Sequence, residues 1–131
     1  FLVTGALNVV VAQRLCRKIC TLCKVEDPVS VTDLVSCGIS EASAKKIKVF
    51  KGKGCPACSN TGYKGRVAIY EVLEMSAAIR EIILRGGDSD KIKREAIKEG
   101  MKTLRMCALT KVALGETTLD EAVSNSGSDK F

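Results

Sequence analysis

The stretch Gly54-Cys-Pro-Ala-Cys-Ser-Asn-Thr-Gly-Tyr-Lys-Gly-Arg66 packs two cysteines, three glycines and two basic residues into one turn and the entry to a strand. Thiols at positions i and i+3 converge on one centre when the chain between them turns tightly. Pro56 presets the first turn residue, and the glycines that follow Cys58 permit positive φ. The pattern describes half of a tetrathiolate metal site.

The chain has no histidine, so the remaining ligands of a four-coordinate zinc must be other cysteines. Cys20-Thr-Leu-Cys23 supplies them as a second C-x-x-C. Cys20, Cys23, Cys55 and Cys58 are therefore the candidate zinc ligands, with residues 24–54 between the two knuckles, a spacer long enough to fold as a small insert. Disulfides are the competing use. An odd total of seven cysteines, a lysine-rich chain and no secretory signal pattern favour zinc. A thioredoxin-like role is disfavoured because neither motif opens a helix inside a βαβ unit. Cys16, Cys37 and Cys107 belong to no such motif and are expected to fill apolar space.

Outward from the second knuckle, Arg66-Val-Ala-Ile-Tyr-Glu-Val-Leu-Glu-Met75 alternates, with Val67, Ile69 and Glu71 opposite Ala68, Tyr70 and Val72, and reads as a strand. Val9 to Ile19 is β-branched at its start and also reads as a strand, although neither of its faces is uniformly apolar. Antiparallel pairing of these two segments brings the knuckles together at one end. Inside the insert, Val31 to Cys37 and Ser40 to Lys46 read as short helices and Lys46 to Lys51 as a strand.

Beyond Met75 the pattern is helical. Ser76 caps a helix with Ile79, Ile82 and Ile83 on one face, ended by Gly86-Gly87. Asp88 or Ser89 opens a second, with Ile92, Ala96 and Ile97 inward and Gly100 at its end. Thr103 opens a third through Leu104, Ala108 and Val112 to Gly115, and Thr118-Leu-Asp-Glu121 matches a capping box. The polar tail from Ser124 is expected to fray.

With 131 residues, 46% hydrophobic, the chain can form one domain, or one domain with an inserted subdomain. Its formal net charge of +6 falls to +4 once four thiolates and one Zn2+ are included, and aromatics make up only 4%. Both facts weigh against a nucleic-acid-binding zinc module, which needs a basic recognition helix or aromatic stacking platforms. The apolar run from Phe1 to Ala12 is too short to span a bilayer and looks like the interior of a larger protein.

Several ordered segments resemble one family: Phe1-Leu-Val-Thr-Gly-Ala-Leu7, Ala12-Gln-Arg-Leu-Cys-Arg17, the paired knuckles, Gly62-Tyr-Lys-Gly-Arg-Val67, Gly100-Met-Lys-Thr-Leu-Arg105 and Thr117-Thr-Leu-Asp-Glu121. They are similar to the C-terminal part of the bacterial type IV pilus assembly and type II secretion ATPases. Phe50-Lys-Gly-Lys-Gly-Cys55 tilts the likeness towards the pilus enzymes. The resemblance implies an α+β fold. In it, residues 1–19 and 66–75 are late antiparallel strands of a RecA-like ATPase domain, residues 20–65 a tetracysteine zinc-binding insertion and residues 76–131 a C-terminal helical region.

The resemblance further implies a homohexameric, cytoplasmic motor, peripheral to the bacterial inner membrane, that meets an inner-membrane platform protein and binds no nucleic acid. Structural Zn2+ would belong to this chain. No G-x-x-x-x-G-K-[ST] phosphate loop or acidic magnesium motif is found in it, so ATP and Mg2+ would belong only to the full-length parent, and the fragment alone is expected to be inactive. Arg14, Arg17, Lys64 and Arg66 flank the knuckles and are expected to form solvated surface. Removal of the metal is expected to loosen residues 24–54 and spare the later helices.

Overall fold

A computed structural model describes residues 9–127. Strand β1 (Val9–Ile19) pairs antiparallel with a long strand near the middle of the chain, β4 (Tyr63–Glu74). Between them lie β2 (Lys24–Glu26), the short helices α1 (Val31–Ser36) and α2 (Glu41–Ala44), and β3 (Phe50–Gly52). Four helices follow: α3 (Ala77–Leu84), α4 (Ser89–Lys98), α5 (Leu104–Ala113) and α6 (Leu119–Ser124). The architecture is α+β with antiparallel pairing, as the sequence implied. Phe1 to Asn8, which carry the start of the apolar run, and the tail from Ser128 lie outside the described residues.

The register sets the two faces of the ribbon. Cys16 lies opposite Val67, Arg14 opposite Ile69 and Ala12 opposite Glu71, and directly opposed residues share a face. The face carrying Cys16 and Ile69 is covered by α5 and α6, and both residues are fully buried together with Ala108, Val112 and Ala122. Each large aliphatic side chain hidden there contributes about 1.5–3 kcal/mol. Glu71, on the same face, accepts a hydrogen bond from the free N–H of Leu104 at 3.0 Å and so completes the start of α5.

The other face carries Val9, Val11, Leu15, Tyr70 and Val72, all exposed. A register irregularity between Arg17 and Ile19 then turns Ile19 inward, where the plain alternation would have placed Lys18. This explains why neither face of β1 looks clean in sequence.

The insert does not pack by itself. Leu34 of α1, Ala44 of α2 and Val49 lie in the same core as Cys16, Ile69 and Val112. Ser30 and Ser40 cap the two short helices by accepting from the N–H groups of Asp33 and Ser43. Downstream, Ser76, Asp88, Thr103 and Thr118 each cap the following helix in the same way, and Asp88 rather than Ser89 opens α4.

Three local readings change. The strand expected over Lys46 to Lys51 is confined to Phe50–Gly52, and it pairs with β2, a three-residue strand too short to leave a pattern in sequence. Strand β4 begins at Tyr63 instead of Arg66, because the ribbon continues past the irregularity to the pair Ile19 and Tyr63. The capping box at Thr118 is half formed. Thr118 Oγ1 accepts from the Glu121 N–H at 3.1 Å, but the Glu121 carboxylate turns to Arg17 and Asn125.

Candidate metal centre

Each knuckle is shaped by its own turn. The segment Pro56–Cys58 forms a single 3-10 turn with proline at its first position, where the missing N–H costs nothing. Ser59 and Asn60 then adopt left-handed backbone, at φ 55° and 61°, so the reversal expected of glycine is begun by a serine and an asparagine. Thr61 closes it, donating from Oγ1 to the Cys58 carbonyl at 2.7 Å. The chain returns to place the Gly62 N–H against Cys58 Sγ at 3.2 Å.

The first knuckle follows β1 directly. Its position is fixed by Cys20 N–H donating to the Gly62 carbonyl at 2.9 Å and by Lys53 N–H donating to the Cys23 carbonyl at 3.2 Å. The knuckles are thus tied to each other through backbone before any thiol chemistry is considered.

These ties bring Cys20, Cys23, Cys55 and Cys58 together, with all four sulfurs within 4.8 Å of one another. The distances Cys20 to Cys55, Cys23 to Cys58 and Cys55 to Cys58 are 3.7, 3.8 and 3.7 Å. Sulfurs at the corners of a tetrahedron with zinc–sulfur bonds of about 2.3 Å would stand about 3.8 Å apart. A disulfide needs about 2.05 Å. The donor set and its spacing fit a tetrathiolate metal ion such as Zn2+, and no disulfide links any of the seven cysteines.

The thiols are electrostatically unequal. Burial pushes Cys58 up, but the N–H groups of Cys55 and Gly62 and the thiols of Cys55 and Cys23 outweigh it and hold Cys58 at about 6, below its ordinary 9.0. Burial pushes Cys23 up to about 11, opposed by the N–H of Gly54 and reinforced by the neighbouring thiols. Negative charge in the metal-free cluster therefore settles first on Cys58, the sulfur with two backbone donors.

The remaining cysteines stand apart from the cluster. Cys16 is buried in the core, Cys107 is packed against that core and Cys37 is half-buried at the end of α1. Sequence reasoning grouped Arg14, Arg17, Lys64 and Arg66 as surface, and all four are exposed. Arg17 has a defined role. Its guanidinium lies 4.1 Å from the Tyr63 ring centre and its Nε donates to Glu121 Oε1, which raises its pKa further through the Glu121 hydrogen bond. No sequence signal pointed to this contact, because the capping-box match at Thr118 assigned the Glu121 carboxylate to its own helix start.

The description "Type II/IV secretion system protein" belongs to a family model that matches residues 1–124. The chain belongs to this family. It is 39% identical over 132 residues to the type IV pilus assembly ATPase PilB of Myxococcus xanthus, covering all of this chain and 23% of that protein. Identity to the PilB of Thermus thermophilus is 42% over 126 residues, covering 96% of this chain and 14% of the relative. The type II secretion system protein E of Aeromonas hydrophila is 32% identical over 123 residues, covering 94% of this chain and 24% of the relative. The chain thus spans less than a quarter of the length of these secretion-family relatives. Among its described residues no helix is long and apolar enough to cross a membrane.

Proposed function

We propose that this chain is the zinc-bearing C-terminal module of a hexameric, RecA-like ATPase that drives type IV pilus assembly. The observation that carries the reading is the convergence of Cys20, Cys23, Cys55 and Cys58 at one end of the β1–β4 ribbon, in a chain of the secretion ATPase family. Higher identity to the two PilB relatives than to the Aeromonas protein supports pilus assembly over type II secretion. Bound zinc would tie the two knuckles, and four thiolates leave no coordination position for a reacting water, so its role is structural.

On this reading ATP and Mg2+ are held elsewhere in the parent protein, since this sequence carries no G-x-x-x-x-G-K-[ST] phosphate loop. The residues here position and couple. The exposed apolar face formed by Val9, Val11, Leu15, Tyr70 and Val72 supports a ribbon that completes a larger sheet. The insert shares one core with α5 and α6, which suits a rigid element that passes motion between subunits and on to an inner-membrane platform protein from the cytoplasmic side.

The test is ATP turnover. The longer gene product that contains this chain should hydrolyse MgATP, and the 131-residue chain alone should not exceed a buffer blank. Turnover by the short chain, abolished by one of its own substitutions, would overturn the reading.

A further inference from the structure

Gly62 touches both halves of the thiol cluster. Its N–H donates to Cys58 Sγ and its carbonyl accepts from the Cys20 N–H. Its Cα lies against Gly52, the strand β3 residue that pairs with Lys24 immediately after Cys23. A Cβ built on Gly52 would fall 2.6 Å from Gly62 Cα and 2.7 Å from its carbonyl carbon, and would overlap its oxygen. The reciprocal Cβ on Gly62 would overlap the Gly52 oxygen and sit 3.0 Å from its carbonyl carbon. These neighbours are backbone atoms, so no side chain can rotate away to make room.

A larger residue at either position must therefore push the two segments apart. The displacement would reach the thiols directly, since Gly62 is bonded to Cys58 and the segment after Gly52 is bonded to Cys23 through Lys53. Sulfur spacings of 3.7–3.8 Å leave little room for it.

We propose that the Gly52–Gly62 crossing is the positioning element of the metal centre, holding the knuckles at tetrahedral spacing before a metal arrives. The proposal rests on the zinc reading above. Three glycines separate its physical causes. Gly52 lies outside the left-handed region, so Gly52→Ala tests the contact alone. Gly62, at φ +80°, combines contact and backbone strain. Gly86, at φ +74° with no neighbour within 4 Å of an added Cβ, tests strain alone.

The experiment compares wild type, Gly52→Ala and Gly86→Ala. Zinc affinity is read by competition with a chromophoric chelator, and site geometry by the visible spectrum of the Co2+-substituted protein. Gly52→Ala should bind zinc about 10- to 100-fold more weakly, the range seen when groups that orient metal ligands are removed. Its Co2+ spectrum should depart from that of a tetrahedral tetrathiolate, while Gly86→Ala matches wild type in both readouts. Unchanged affinity and spectrum in Gly52→Ala would overturn the proposal.

Should Gly52→Ala fail to fold, hydrogen exchange of chelated wild-type protein decides instead. The Cys20 amide, bonded to Gly62, should stay protected without metal, and exchange at the open-chain rate would overturn the proposal. Wild-type protein that binds no zinc at all would overturn the zinc reading, and this proposal with it, a result distinct from failure of the glycine variants.

Discussion

Glu121, which follows Arg17 by 104 residues, accepts from both its backbone N–H and its side-chain Nε, at 3.2 and 2.5 Å. The carboxylate is nearly buried and also accepts from Asn125 at 2.8 Å. Around it, Thr117 Oγ1 donates to the Arg17 carbonyl and Tyr63 Oη shares a hydrogen bond with Thr118 Oγ1. The last strand residues before the first knuckle are thereby stitched to the start of α6.

Glu121→Ala should destabilise the domain by about 1–3 kcal/mol, because it strands the Arg17 N–H in a partly buried position. Arg17→Lys should cost less, since the backbone hydrogen bond survives. Denaturant titrations measure both, and equal stability of Glu121→Ala and wild type would show that the contact is ornamental.

Chelation should act locally. The sequence alone pointed to loosening across residues 24–54, but Leu34, Ala44 and Val49 share the common core and give that segment support independent of metal. Hydrogen exchange after metal removal should rise in the turns at residues 21–23 and 55–61 and stay low through α1, α2 and α5. Uniform loss of protection would show that zinc supports the whole domain.

The long elements were legible because each carried its pattern and its stop signals together. Ser76 with Gly86 and Thr103 with Gly115 bounded two helices correctly, Thr118 marked the start of a third, and the two C-x-x-C pairs pointed to one cluster before any geometry was known. What stayed hidden depended on contacts distant in sequence. A capping-box glutamate is taken by an arginine 104 residues away, the irregularity at Arg17 and Ile19 inverts the alternation of β1, and β2 exists only because β3 lies beside it. The shared core of insert and helices has no signature in a linear spacer length.

The metal-free protein should have a stability maximum in pH. Cys58 is held at about 6 in the fold against an ordinary 9.0, so between these values the unfolded chain binds the extra proton and stability rises with pH. Its contribution is lost as pH falls through 6. Cys23, raised to about 11, reverses the sign: its contribution is present below 9 and lost as pH rises through 11. Denaturant titrations of chelated wild type and Cys58→Ser should differ mainly by the rising limb between pH 6 and 9. Parallel curves would contradict the assignment.

Nucleic acid should bind only weakly. Arg17 is engaged by Glu121, Tyr63 is covered by Arg17 and Phe50 faces Lys24 Nζ at 4.6 Å from its ring centre, so these aromatics form no open stacking platform. Exposed Lys64 and Arg66 should give a low-salt association that disappears near physiological ionic strength. Submicromolar binding of labelled oligonucleotides at that salt, weakened by Lys64→Ala and Arg66→Ala, would point to a nucleic-acid module.

The most direct measurement is metal content per chain. Protein purified without chelators should carry one zinc, Cys58→Ser should lose it, and Cys37→Ser and Cys107→Ser should retain it, since neither sulfur belongs to the four-thiol cluster. Substoichiometric zinc in fresh wild-type protein, or an unchanged zinc content in Cys58→Ser, would contradict the account.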